Sequence, residues 1–463
     1  MPVLEGAEQS IPLHSLSAAS AGQRSLLMAK AGSVRGVEWL AGSRPVEGCA
    51  VLHGSSVLLA VKSQLSAAMS LIELDGVARR VILCTPDLKP ENLAVIAQTA
   101  GANAAIVDYD APASLRDVIA AQSSKFVGEN KTRYLTEWVL LTSGTNGTPK
   151  LVQHDLTSLA GPVSGMPVEG DQAVWGTFYD IRRYGGLQIF LRAVLGGASL
   201  VLSDPDESTA DYLARAGACG VTHISGTPSH WRKVLMSPPV AAFAPRYIRL
   251  SGEIADQAIL DQLHQRFPDT SIAHAYAATE AGVVFVVTDG EAGFPASVIG
   301  GSIDGAQIKI TDGTLRIRSS RTASRYLGED APTLRDADGF VDTGDFVELA
   351  GGRYLFAGRR GGVINVGGAK VYPEEVEAII NRHPAVQMAL VRSRKNPLTG
   401  AVVVADIVLQ PDAGQSAAYQ DGIKQELFAA CRSALSSYKV PATIRIVPNI
   451  DVNSSGKLRR HDA

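Results

Sequence analysis

Apolar and polar positions follow two different rhythms along the chain. Up to about residue 300, short β-rich apolar runs alternate with segments whose apolar residues recur at helical spacing. Residues 49–52 and 56–61 read as strands, and so do 80–84, which run into the turn Thr85-Pro86-Asp87. Residues 90–98 have apolar positions three and four apart, with Pro90 at the start, which predicts a helix. A strand follows at 104–107. Further strands are predicted at 198–202, 221–224 and 247–250, with a helix over 208–216 ending near Gly217. Strand–helix–strand alternation predicts an α/β layer with a parallel sheet, because parallel strands need a long crossover between them.

From about residue 300 the period shortens to two. Residues 306–310 and 314–318 alternate around Asp312-Gly313, and 346–349 and 354–357 flank Gly351-Gly352. Both read as hairpins of a small antiparallel β unit. After Gly361-Gly362 the pattern changes again. Pro373 suits the first helical position, Glu374 and Glu375 suit the first turn, and Val376, Ile379 and Ile380 share one face. The expected fold is α/β: a large N-terminal domain over 1–358, made of parallel-sheet lobes plus a β unit at about 300–358, and a small α+β C-terminal domain over 359–463.

Composition narrows the class. The 463 residues are 46% hydrophobic and 19% charged, which is core-forming rather than disordered. A net charge of −3 supplies no general field for nucleic acid or anionic lipid. No apolar run approaches the ~18 residues of a membrane span, and the N-terminus lacks the pattern of a signal peptide. The four cysteines are scattered without metal-ligand spacing, so a reduced cytoplasmic protein without structural zinc is expected.

The candidate chemistry lies in four clusters. Thr142-Ser143-Gly144-Thr145-Asn146-Gly147-Thr148-Pro149-Lys150 follows an apolar strand end. Its glycines permit close backbone approach, its N–H and hydroxyl groups suit anionic oxygens, and its lysine suits phosphate. It is not a Walker loop, since Pro149 intervenes before the lysine and Leu151 follows it. The same residues also make an ordinary surface turn. Tyr276-Ala277-Ala278-Thr279-Glu280 offers a ring, a hydroxyl and a carboxylate, suited to a base, a phosphate and Mg²⁺ or to a loop with a packed tyrosine. Asp342-Thr343-Gly344-Asp345 with Gly358-Arg359 suits ribose hydroxyls or an Asx turn. Ser455-Gly456-Lys457 lies in a basic C-terminal stretch that also reads as a solvated tail.

Taken in order, these clusters resemble the adenylate-forming superfamily of acyl- and aryl-CoA synthetases, peptide-synthetase adenylation domains and luciferases. The likeness spans roughly residues 80–463 and includes Gly367-Gly368-Ala369-Lys370 to Pro373 and Tyr438-Lys439-Val440-Pro441. Asn146 and Ala277 depart from the commoner family residues, and the first lobe is short. The resemblance implies that a carboxylate attacks the α-phosphate of ATP, and that a thiol from CoA or a carrier-protein phosphopantetheine then displaces AMP. It assigns Thr142, Ser143, Gly144, Thr145, Asn146, Gly147 and Lys150 to the β/γ-phosphates, Thr279 to the α-phosphate and Glu280 to Mg²⁺. Tyr276 and Gly252-Glu253-Ile254 would flank adenine, and Asp345 and Arg359 would hold ribose. Lys457 would bridge the carboxylate and the α-phosphate. Gly361 takes the hinge position, and Gly367, Gly368 and Lys370 the thiol tunnel. The family's pocket segment lacks its proline and histidine here. Arg182 falls near the histidine position, so Arg182, Tyr184 and Ala275 are the acyl-pocket candidates. An arginine there would favour an acid with a second anionic or polar group, or else would pair with Asp180. The resemblance favours a carboxylic acid–CoA ligase, with a carrier-loading enzyme and a silent nucleotide- or acyl-binding module as alternatives.

Overall fold

The computed structural model describes Leu13 and residues 25–35, 49–124, 133–142, 149–161, 173–303, 305–411, 413–414, 416–452 and 456–458. Two sheets of largely parallel strands form the body. The first has six strands in the order Arg325–Leu327, Lys150–His154, Glu137–Thr142, Arg80–Leu83, Ser56–Ala60, Ala104–Val107. Its four central and far-edge strands run parallel, and Lys150–His154 returns antiparallel, with Thr142 opposite Lys150. The candidate phosphate loop therefore closes a hairpin rather than opening a helix.

The second sheet has eight strands. Gly282–Val287, Ser271–Ala278, Tyr247–Ser251, His223–Gly226, Val174–Thr177 and Ser199–Leu202 are followed by the pair Ser25–Ala29 and Gly32–Arg35. Helix Tyr184–Gly196 is apolar almost all round and lies in the core shared by both sheets, with Trp138, Trp175, Phe190 and Leu200. A helix without a polar face belongs between two layers. The other face of the second sheet packs Ile224, Ile248 and Leu250 against Trp231, Ile259 and Leu263.

The third sheet is the expected antiparallel β unit. Ala306–Thr311 and Thr314–Arg318 turn at Asp312 and Gly313, both with positive φ, and Val341–Ala350 pairs with Arg353–Arg359. Beyond it, the small hairpin Ile364–Val366 and Ala369–Val371, a three-stranded sheet and helices Pro373–Ile380 and Ala417–Ala434 enclose a separate core. This C-terminal unit meets the body through polar and apolar groups: Met236 packs against Met388, Leu390 and Val408, and the Phe346 and Tyr372 rings lie 5.2 Å apart. Arg232 Nη1 donates to Gln387 O at 3.2 Å, and Asn381 Nδ2 donates to Asp256 Oδ2 at 3.0 Å.

Two expectations are corrected. Cys49–Leu52 is a 3-10 turn rather than a strand, and its Val51 is 84% exposed, so this short run has no sheet to cover it. The strand expected at 221–224 is His223–Gly226, because Val221 N still bonds back to Ala216 O of the preceding helix. No helix among the described residues is long and apolar enough to cross a membrane.

Candidate active site

Open parallel sheets bind ligands beyond their strand carboxyl ends, where successive connections leave in opposite directions. Val174–Thr177 is such a place, with Ser199–Leu202 on one side and His223–Gly226 on the other. The segments leaving the neighbouring strand ends carry Tyr179, Thr227 and Gly252. Tyr179 donates its hydroxyl to Ser251 O at 2.6 Å. Lys457 arrives here from the far end of the chain. A Cβ added to Gly252 would lie 3.5 Å from Lys457 Cε and 4.0 Å from the Tyr179 hydroxyl.

The lysine turn is held at both shoulders. Thr227 Oγ1 donates to Gly456 O at 2.5 Å, and Leu458 N donates to Glu253 Oε1 at 2.9 Å. The other Glu253 oxygen accepts from Ser229 N at 2.9 Å, in the first turn of helix Pro228–Met236. One carboxylate thus joins a helix N-terminus to the Lys457 turn. Gly456 sits at φ +72° against the His230 ring, where a Cβ would fall 1.7 Å from Cε1. His230 is itself stacked on Phe178 at 5.2 Å. Only glycine fits there. Burial lowers the Lys457 pKa, Glu253 and Asp345 oppose that shift, and Arg359 and Arg183 reinforce it. A half-buried ammonium at the strand ends suits anionic oxygens.

Asp345 and Arg359 are register partners across two strands, with Arg359 Nε 3.6 Å from the carboxylate. Tyr276 donates its hydroxyl to Asp345 Oδ2 at 2.6 Å. Burial raises the Asp345 pKa, with Arg359 the chief opposing charge. The Tyr276 ring lies nearly parallel to Phe285 and Phe356, at 5.4 and 5.1 Å, so it is a packed residue as well as a candidate base platform. Thr279 is held through its carbonyl, 2.7 Å from His154 Nε2, and His154 Nδ1 lies 3.0 Å from Ser158 Oγ. Glu280 accepts from the Tyr326 hydroxyl at 3.1 Å, while Lys150 Nζ lies 5.3 Å over the Tyr326 ring.

His154, Tyr326, Thr227 and Tyr179 were not singled out by sequence motifs. Tyr326 reaches the site because Arg325–Leu327 pairs with the Lys150–His154 strand. Its only sequence signal was an aromatic residue in a short β-like run. Arg249 was also passed over. It stands in the strand Tyr247–Ser251 and is 8% exposed.

Ser143, Gly144, Thr145, Asn146 and Gly147 lie outside the described residues. At the base of that loop, Thr142 Oγ1 is buried and has no hydrogen-bond partner among the described residues. An orphaned hydroxyl beside a lysine fits a ligand oxygen. Glu280 supplies one carboxylate nearby, a donor set that fits Mg²⁺ completed by phosphate oxygens. Ile254 is half-buried beside Glu253, whose carboxylate is committed to Ser229 and Leu458.

Gly361 lies in the 3-10 turn Arg360–Gly362, and a Cβ there meets nothing within 4 Å. Gly367 and Gly368 form the positive-φ turn of the small hairpin, and Lys370 is exposed. Tyr184 and Ala275 are buried, and the Tyr184 hydroxyl accepts from Val283 N at 3.1 Å.

Of the two roles expected for Arg182, the structure shows the pairing with Asp180. Its Nε and Nη2 donate to Asp180 at 2.8 and 2.5 Å, Nη1 donates to Val61 O, and the side chain is fully buried. Each guanidinium nitrogen is engaged in protein contacts, so this arginine braces two segments and offers no donor group to an acid.

Residues 53–323 match the family model for AMP-binding enzyme, and residues 375–457 match the model for AMP-binding enzyme C-terminal domain. The chain belongs to this adenylate-forming family. It is 28% identical over 338 residues to 2-succinylbenzoate–CoA ligase from Listeria innocua, covering 70% of this chain and 69% of the relative. The fold is similar to a crystal structure of an anthranilate CoA ligase in complex with anthranoyl-AMP. The TM-score is 0.78 at 18% identity, over 97% of this chain and 95% of that one. It is similar also to o-succinylbenzoate CoA synthetase from Bacillus subtilis in complex with its acyl-adenylate. There the TM-score is 0.73 at 20% identity, over 97% of both chains.

Proposed function

We propose that this protein is an ATP-dependent carboxylic acid–CoA ligase, which forms an acyl-adenylate and pyrophosphate and then an acyl-CoA and AMP. The observation that carries the reading is the placement of Lys457, half-buried at the carboxyl ends of the central strands, with its turn latched there by Thr227 and Glu253. The acid carboxylate and the α-phosphate repel each other, and an ammonium between them removes that repulsion where charge builds in the transition state. Thr142, Lys150 and the intervening loop hold the β- and γ-phosphates. Thr279 contacts the α-phosphate, Asp345 and Arg359 take the ribose, and Tyr276 and the Gly252–Ile254 segment flank adenine. Glu280 holds Mg²⁺, which when bound neutralises phosphate charge.

The relatives' names support CoA as the thiol. The chain divides at about 358/359, and the C-terminal unit turns about Gly361 to replace Lys457 by the Gly367–Lys370 hairpin for thioester formation. The contacts between the units mix polar and apolar groups, as interfaces that open and close between domains do.

The test is ATP–pyrophosphate exchange against short, long-chain, aromatic and dicarboxylic acids, followed by AMP release with and without CoA. Acid-dependent exchange with CoA-dependent AMP release is expected. Exchange with acylation of a carrier protein and no response to CoA would favour the carrier-loading reading. No exchange with any acid would overturn adenylation.

A further inference from the structure

Five arginines are more than nine-tenths buried: Arg80, Arg182, Arg192, Arg232 and Arg249. Arg80 is paired with Glu137 at 2.5 Å, Arg182 with Asp180 at 2.5 Å and Arg232 with Asp256 at 2.6 Å, and Arg192 lies over the Trp175 ring at 5.5 Å. Arg249 has neither an ion pair nor a hydrogen bond among the described residues. The residue is mostly buried, yet its nitrogens are not among the buried orphaned atoms, so the guanidinium head sits in a recess open to an anion that comes from outside.

Its direction follows from strand alternation. Ile248 and Leu250 face the core beneath helix Gln257–Arg266. Arg249 therefore points to the opposite face. Tyr247, on that same face, packs against the cluster that contains Trp175, Tyr184 and Leu187. The register neighbours of Arg249 are Ser225 and Ala273, both small, so the adjacent strands leave it room. Its charge is felt by the phenols of Tyr179 and Tyr184, where it partly offsets the rise that burial causes. Gly252, beside Lys457, lies three residues further along the chain, or about 10 Å of extended strand.

We propose that Arg249 is a specificity-determining residue that pairs with a second carboxylate of the substrate, so that the acid activated here is a dicarboxylic acid whose two carboxylates are separated by several carbons. The inference rests on the acid-activating function proposed above. One carboxylate meets Lys457 and reacts, and the other meets Arg249 and remains free. A monoacid of the same length covers the guanidinium without pairing it, which is the stronger source of discrimination.

The experiment is acid-dependent ATP–pyrophosphate exchange by the full-length chain, comparing adipate and pimelate with hexanoate and heptanoate, and with malonate as the short diacid. The wild type is expected to favour the long diacids by about 10²-fold in kcat/KM. Arg249→Met should bring that ratio close to one. Arg249→Lys, which keeps the charge, should retain part of it. AMP binding by calorimetry reports whether each variant is folded, and if the Met variant does not fold, the wild-type and Lys ratios decide. Exchange with monoacids as good as with diacids, or a diacid preference unchanged in folded Arg249→Met, overturns the assignment and leaves the adenylation reading standing. Absence of exchange with every acid overturns both.

Discussion

Two lysines of the C-terminal unit stand in opposite surroundings. Lys457 is half-buried against residues of the large body, its turn bonded to Thr227 and Glu253. Lys370 is exposed on a hairpin whose bonds are local: Gly367 N donates to Thr399 O and Gly368 N to Asn365 Oδ1, each at 2.9 Å. The hairpin keeps its shape wherever the C-terminal unit sits. The Lys457 turn depends on docking, because its partners belong to the body. Under the proposed two-step reaction, docking rather than residue type would decide which lysine acts.

The largest effect is expected on the docked side. Lys457→Ala should lower ATP–pyrophosphate exchange by about 10²–10³-fold with ATP affinity largely retained, while Lys370→Ala should leave exchange nearly unchanged and slow thioester formation. Exchange and single-turnover thioester assays check both.

Gly456→Ala tests the seat of the turn. A methyl group would strike the His230 ring, and overpacking of this kind costs about 1–3 kcal/mol. Roughly 10–100-fold loss of exchange is expected, with thioester formation from a supplied acyl-adenylate affected less. Equal loss in both assays would mean that His230 does not read docking.

Gly361→Pro tests the passage between the two arrangements. The space around Gly361 is open, so the substitution is expected to be tolerated in the docked form while stiffening the connection. Thioester formation should fall about tenfold more than exchange. Equal loss would remove Gly361 as the hinge.

The smallest expected effect is on pH dependence. Burial lowers the Lys457 pKa in the folded protein, so its ammonium is lost below the ordinary lysine range near ~10.4. Exchange should therefore decline as pH rises through that lowered value. Stability has the opposite sign. Between the folded and unfolded pKa values the unfolded chain binds more protons, so this group's contribution to stability rises with pH. Lys457→Met should remove both slopes, measurable by exchange rates and denaturant midpoints across pH.

Much of the fold was legible, because its strands are short apolar runs bounded by turns and its hairpins carry Asp-Gly or Gly-Gly at the corners. The misreadings have local causes. Residues 49–52 are apolar enough for a strand but have no neighbour to pair with. In the site, residues grouped in contiguous motifs were visible, and the structure brings Tyr276, Asp345 and Arg359 together and sets Lys457 beside Gly252. Residues that arrive through pairing of distant strands were not. Tyr326 and His154 touch Glu280 and Thr279 from segments that carry no motif. The arginines show the limit most clearly. Arg182 occupied the expected pocket position, yet Asp180 and a carbonyl from residue 61 consume it. Arg249 sat in an apolar strand without a motif, and it has no ion pair or hydrogen bond among the described residues.

The most direct test of the account is the pair of half-reactions measured on Lys457→Ala alone. The account predicts that exchange collapses while AMP still binds and a supplied acyl-adenylate still passes to CoA at near the wild-type rate. Exchange at the wild-type rate in this variant would contradict it, since the half-buried lysine at the strand ends would then not be the group that joins acid to phosphate.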